Sequence, residues 1–159
     1  MEKKVEVVVD TDFFSSFFKI KRLNLIFRAF NVNEIVITRA VLHELEESIF
    51  CDELLKLLEK GKIVVKEAKL MESSSDFGEG ELESISVAEK VNSVLLMDDR
   101  VAGKFAKSRG IVVVDIPEFL LDCKNKKLIT SNEISQIIKD LKEKDYYEFS
   151  KEIKKRLLQ

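Results

Sequence analysis

Asp10, Glu44, Glu81, Asp98 and Asp99 are the residues of this chain whose types and placement could do chemistry. Asp10 closes the apolar run Val5–Val9, and the pair Asp98-Asp99 closes the run Val94–Met97. In open α/β sheets ligands sit outside the carboxyl ends of the strands, so carboxylates at such ends stand where reactions are usually carried out. Glu44 lies in the helical pattern directly after Ile35–Thr38, and Glu81 opens the stripe Glu81, Ile85, Ala88, Asn92. Carboxylates gathered on one edge repel: two unit charges about 4 Å apart cost about 4 kcal/mol at an effective dielectric of about 20. Such a group keeps extra protons or holds a cation. With oxygen ligands only and no His or Cys cluster, the expected ion is Mg2+ or Mn2+. Hard dications held by carboxylates typically serve phosphate chemistry. Each acid also has a plainer reading. Asp98 or Asp99 can cap the following helix. Glu44 can be a solvated surface acid, and Glu79, Glu81 and Glu83 compete to favour a helix N-terminus.

The elements that must position these acids follow from the spacing of apolar residues. Val5–Val9, Ile35–Thr38, Lys62–Val65, Val94–Met97 and Ile111–Val114 are short apolar runs suited to buried strands. Phe13, Phe14, Phe17 and Phe18 follow Asp10 at helical spacing and predict core or a dimer surface. Leu23, Ile26, Phe27 and Phe30 make a second stripe. Val41, Leu42 and Leu45 continue from the second strand, and Phe50–Leu58 runs on helically to Gly61, a suitable stop. Glu72–Gly80, rich in Ser and Gly, predicts an exposed loop. Val101, Phe105 and Ala106 mark the inner face of a helix ending at Gly110. Pro117 suits the first turn of a short helix through Leu121. Thr130 and Glu133 have capping-box spacing, ahead of Ile134, Ile137, Ile138 and Leu141. Tyr146, Phe149, Ile153 and Leu157 predict a final amphipathic stripe. Strands alternating with helices imply an α/β protein: a central parallel sheet covered on both faces, in a single domain over residues 1–159.

Composition narrows the function classes. At 159 residues, 45% hydrophobic and 35% charged, the chain has the make-up of a globular domain rather than a disordered one. A formal net charge of -2 argues against adhesion to nucleic acid by bulk positive charge and leaves room for local basic patches. Cys51 and Cys123, far apart in sequence, predict two reduced thiols and give a zinc site no support. MEKKVEVVVD contains no long apolar run, and nothing reaches the length of a membrane span, so a cytoplasmic protein with no membrane partner is expected. His43 is the only histidine and reads as structural; Lys124-Asn125-Lys126-Lys127 reads as a solvated turn.

The segments VVVDTD, VLHELE, GELESISVA and VLLMDDRVAGKFAKSRGI together resemble a PIN domain, of the compact branch with a GE-type helix start and a DDR motif. The resemblance runs from Val5 to the final helix. It implies a three-layer α/β/α fold and a metal-dependent ribonuclease, often the toxin of a toxin–antitoxin pair and often a homodimer. Residue by residue it makes Asp10, Glu44, Glu81 and Asp99 the catalytic acids, with Glu81 where most PIN domains have Asp. Asp10, Glu81, Asp98 and Asp99 become the ligands of Mg2+ or Mn2+. Thr11, Arg100 and Lys104 become contacts to single-stranded or structured RNA, with Lys107 either a further contact or part of a solvated face. Asp12 departs from the usual Ser, Thr or Asn and adds charge.

Two other readings compete. Asp10-Thr11-Asp12, Thr38 and Asp98-Asp99 also suit a haloacid dehalogenase-type phosphatase, although Phe13-Phe14 and the lack of a catalytic lysine do not. A PIN fold that binds RNA or protein without cutting would carry the same acids.

Overall fold

Val7, Val8 and Val9 are all buried, as a strand covered on both faces requires. The computed structural model, which describes residues 4–69, 77–90 and 92–159, places them in β1 (Glu6–Val9). Four strands lie parallel with it: β2 (Ile35–Thr38), β3 (Ile63–Lys66), β4 (Ser93–Leu96) and β5 (Val112–Val114). Their order across the sheet is β3-β2-β1-β4-β5. The winding reverses at β1, so the crevice between the carboxyl ends of β1 and β4 is the switch point at which such sheets bind ligands.

Side chains alternate across the sheet, and each set meets its own core. Val7, Val9, Ile35, Ile37, Val94 and Leu96 face one side. There they meet α1 (Thr11–Lys19), α2 (Asn24–Phe30), α3 (Arg39–Glu46) and α4 (Cys51–Glu59), together with α7 (Ile116–Asn125), α8 (Ser131–Asp145) and α9 (Lys151–Leu158). The centre of this layer is aromatic. Phe13 and Phe17 stack with centroids 5.1 Å apart, and Phe119 meets them edge-on at 5.6 and 5.2 Å. Each such ring contributes roughly 1.5–3 kcal/mol by burial. Val8, Val36, Leu95, Met97 and Val113 face the other side, against α5 (Glu79–Ala88) and α6 (Arg100–Ser108). Ala102 and Ala106 are fully buried there, small enough to let α6 lie close to the sheet. The architecture is therefore the expected three-layer α/β/α sandwich.

Local chemistry moves several boundaries. The helix expected to run through Phe50–Leu58 is broken before Cys51, where the Ser48 hydroxyl accepts a hydrogen bond from Phe50 N–H at 3.2 Å and offers the backbone an alternative to the helix. Gly61 does end α4, at φ +69°. Val101 is not on the inner face of α6: it is 65% exposed, and Ala102, Gly103 and Ala106 form that face. Tyr146 does not join the last stripe, because it sits in the left-handed region as the C-cap of α8, 92% exposed. The phenylalanines of α1 are core rather than dimer surface; Phe13, Phe14 and Phe17 are inaccessible. The capping box at Thr130 and Glu133 forms as expected. Of the predicted loop, residues 72–76 lie outside the described residues, and α5 begins at Glu79. Both cysteines are free, Cys123 buried. Among the described residues no helix is long and apolar enough to cross a membrane.

Candidate active site

Asp10 leaves β1 and stands at the N-cap position of α1, yet its carboxylate caps nothing. Its backbone N–H donates to Leu96 O at 3.0 Å, which extends the β1–β4 ladder by one step and sets Asp10 level with Met97. Alternation then turns the Asp10 side chain to the α5 face, the side of Val8. Ser84 of α5, fully buried, donates its hydroxyl to Asp10 Oδ1 at 3.3 Å.

The other acids come to this point from separate elements. Glu81 is in the first turn of α5, one turn before Ser84, where the positive helix end favours an anion. Glu44 belongs to α3, which packs on α5. It reaches the site because Gly80 has no side chain: a Cβ there would lie 2.6 Å from Glu44 Oε1. Asp99 precedes α6 and caps it, accepting from Ala102 N–H at 2.8 Å through Oδ1. Asp12 is exposed in the first turn of α1.

The field among these groups is one-sided. Burial pushes the Asp10 carboxyl up to about 7, with Asp12, Glu81 and Glu44 adding to the rise and the Thr11 backbone N–H opposing it. Glu81 is also raised, first by burial and then by Asp99, Asp12 and Glu44. Among the described residues none of these five acids is in an ion pair with Lys or Arg. A buried carboxylate with no cation beside it keeps its proton or recruits a positive ion. The donor set is all oxygen and uncompensated, which fits a hard dication. Among the described residues, however, no three Asp, Glu, His or Cys side chains already form a group able to hold a metal ion.

Three sequence expectations are placed differently. Asp98, expected as a metal ligand, points to the opposite face of the sheet from Asp10. Its Oδ1 accepts from Ile116 N–H at 2.9 Å and from the Tyr147 hydroxyl at 3.1 Å, so it fastens the start of α7 and the α8–α9 connection. Burial raises its carboxyl, and those two donors oppose the rise. Thr11, expected to touch substrate, turns its hydroxyl inward, where Oγ1 is buried without a partner; as the first residue of α1 it presents its backbone rather than its side chain to Asp10. His43 is exposed and lies 3.8 Å from Glu47, apart from the acids. Arg100 and Lys104 are exposed on α6 and line a cavity beside Asp99.

Three contributors were not read from sequence. Ser84 was detectable, since it follows Glu81 by three residues and so shares its helix face. Glu83 is buried and accepts from Ala40 N–H at 2.9 Å; it ties α5 to the first turn of α3 rather than favouring its own helix N-terminus. Tyr147 lies 49 residues from Asp98 in the chain, and no local pattern announces that contact.

Comparisons with known proteins bear on the fold and the family. A solved structure of a PilT N-terminus domain protein, SSO1118, from the hyperthermophilic archaeon Sulfolobus solfataricus P2 superposes with a TM-score of 0.54 at 22% identity, over 72% of this chain and 90% of that one. A domain of a functionally unknown protein from Methanocaldococcus jannaschii DSM 2661 gives a TM-score of 0.48 at 25% identity, over 70% and 91% of the two chains. Among curated proteins no significant match was found. The model of the DUF3368 family, described as PIN domain, matches residues 6–159. PIN domains are generally nucleases and typically use divalent metal ions. With the parallel sheet, the acids at its switch point and a family match over nearly its whole length, this chain belongs to the PIN domain family.

Proposed function

We propose that this protein is a metal-dependent ribonuclease that hydrolyses RNA phosphodiesters, with Asp10, Glu81 and Asp99 holding Mg2+ or Mn2+. The observation that carries the reading is the Asp10 carboxylate: buried, ringed by Asp12, Glu44 and Glu81, and in no ion pair among the described residues. Such a site gains most from a dication. When bound, that ion supplies charge neutralisation at the phosphodiester and a lower pKa for water. The chain's own groups then divide the work. Ser84 fixes the Asp10 carboxylate, and Gly80 lets Glu44 approach the same point, where its free carboxylate can accept a proton from an attacking water. Asp99 is oriented by its bond to Ala102 N–H. Arg100 and Lys104, exposed one turn apart on α6, offer charge to the RNA backbone. A toxin role with an antitoxin partner, a homodimer and a cytoplasmic setting complete the proposal, and their support is the family alone.

The test is cleavage of single-stranded RNA with added Mn2+ by the wild type and by Asp10→Asn. Equal rates in the two would refute the assignment. One observation favours a second reading, a PIN fold that binds without cutting: no ready-made group of three ligands exists among the described residues. Calorimetric titration with Mn2+ separates the two, since the silent module would show no binding at millimolar ion. The phosphatase reading loses a residue it needs, because Thr38 is inaccessible and its hydroxyl caps α3 by accepting from Val41 N–H at 3.2 Å.

A further inference from the structure

A cavity of about 280 Å³ opens next to the acids, between α6, α7 and Tyr147, and shares Asp99 with the site. Its walls differ in charge. Arg100, Lys104 and Lys107 stand on one face of α6, at i, i+4 and i+7, and form the cationic wall. Asp115, the N-cap of α7, and Glu118 in its first turn face them, and the partly exposed Pro117 and Tyr147 contribute apolar surface. Gly103, buried between Arg100 and Lys104, backs the cavity on the side of Val113.

The mixture selects among ligands. A lone phosphate would meet four carboxylates, and a lone cation would meet three basic side chains. A ligand with an apolar plane, one anionic group and exposed N–H donors satisfies every wall. A nucleotide has all three. The volume lies just below the usual range of ligand cavities, about 300–1,000 Å³, and so suits one base rather than a longer stretch. The two acids are not equivalent. Asp115 Oδ1 already accepts from Glu118 N–H at 2.9 Å as the cap of α7. The Glu118 carboxylate pairs loosely with Lys107, at 3.8 Å, and lies against the Asp115 side chain; burial and Asp115 raise it, and its side chain is 48% exposed. It is the less committed of the two acids, since it caps no helix, and it lines the cavity.

Resting on the ribonuclease reading, we propose that this cavity is a base-reading subsite that seats a guanine of single-stranded RNA, with the Glu118 carboxylate accepting from its N1–H and exocyclic amine. Guanine alone among the four bases presents two adjacent donors on its Watson–Crick edge. Adenine and cytosine present one amine beside an acceptor, and uracil presents carbonyls on both sides of its N–H. Single-stranded bases are read on that edge, and a carboxylate accepts from base amines. Lys104 and Lys107 take the flanking phosphates, and the strand then passes over Asp99 to the acids.

The experiment measures binding, so that it does not depend on catalysis. Four short labelled uridine strands, identical except for G, A, C or U at one central position, are titrated into the full chain carrying Asp10→Asn, and anisotropy is recorded. The guanine strand should bind about tenfold more tightly than the all-uridine strand. Adding Glu118→Gln, a half-exposed change that a melting curve can show to be folded, should abolish that preference. Adding Lys104→Ala should weaken all four strands alike. Equal affinity for the four strands, or a preference that survives Glu118→Gln, overturns the proposal. Wild-type protein that cuts RNA without base preference sinks the subsite alone. An inert wild type whose Asp10→Asn form still prefers the guanine strand keeps the subsite and sinks the nuclease.

Discussion

Asp10 and Asp98 begin from nearly the same sequence context and end in opposite conditions. Each follows a buried run on one of two neighbouring strands, and each carboxyl is raised by burial. Asp98 receives two donors, Ile116 N–H and the Tyr147 hydroxyl, and becomes a structural tie. Asp10 receives the Thr11 backbone N–H, one long bond from Ser84 and three acidic neighbours that outweigh them. The cause is register. Val9 pairs with Leu96, so Asp10 is level with Met97 and Asp98 lies one residue further on, on the other face. A carboxylate that finds donors holds the fold, and one left among acids is available to a cation and a substrate.

The sharpest way to break this contrast is Asp10→Asn. Removing that charge should lower Mn2+-dependent cleavage by at least about a hundredfold, while the metal-free protein becomes more stable above pH 7. The sign follows from linkage. The folded carboxyl titrates near 7 and the unfolded one near 3.8, so its contribution to stability is full below about pH 4 and lost as pH rises through 7. The ceiling on that loss is about 4 kcal/mol, from the separation of the two values. Thermal melts of wild type and variant in chelator across pH 4–8 should therefore converge at low pH and part at high pH. A wild type that gains stability over that range relative to the variant would contradict the account of Asp10.

Next in size is Gly80→Ala. The added Cβ would press on Glu44 Oε1, the far end of a flexible side chain, so the chain should fold with an unchanged or slightly higher melting temperature. Cleavage should fall about tenfold or more, as a displaced carboxylate no longer meets the site. Unchanged activity would remove Glu44 from the mechanism. Asp98→Ala tests the other side of the contrast. It leaves the Ile116 N–H without its acceptor and should cost about 1–3 kcal/mol in urea unfolding. Tyr147→Phe removes one of the two donors and should cost about 1 kcal/mol in the same measurement. The smallest effect belongs to Ser84→Ala. At 3.3 Å its bond to Asp10 is long, so stability should change by about 0.5 kcal/mol, while the pH at which Asp10 titrates moves further up.

Periodicity and end signals by themselves determined the five strands, a parallel sheet covered on both faces and the acids that follow β1 and β4, because apolar spacing and residue type are local properties of the chain; they left the phenylalanines of α1 as core or dimer surface. The same signals located Glu81 in a first helical turn. They also ran helices together at Ser48 and put Val101 and Tyr146 on faces they do not occupy, where side-chain competition and a left-handed cap decide. Only the tertiary structure told Asp98 from Asp10, since pairing register is a relation between strands more than eighty residues apart. Only packing of α3 on α5 could bring the carboxylate of the still exposed Glu44 beside Gly80, and only the α8–α9 connection brings Tyr147 to Asp98. Whether a carboxylate meets a donor or another carboxylate depends on distances across the fold, and those distances are set by how the layers close.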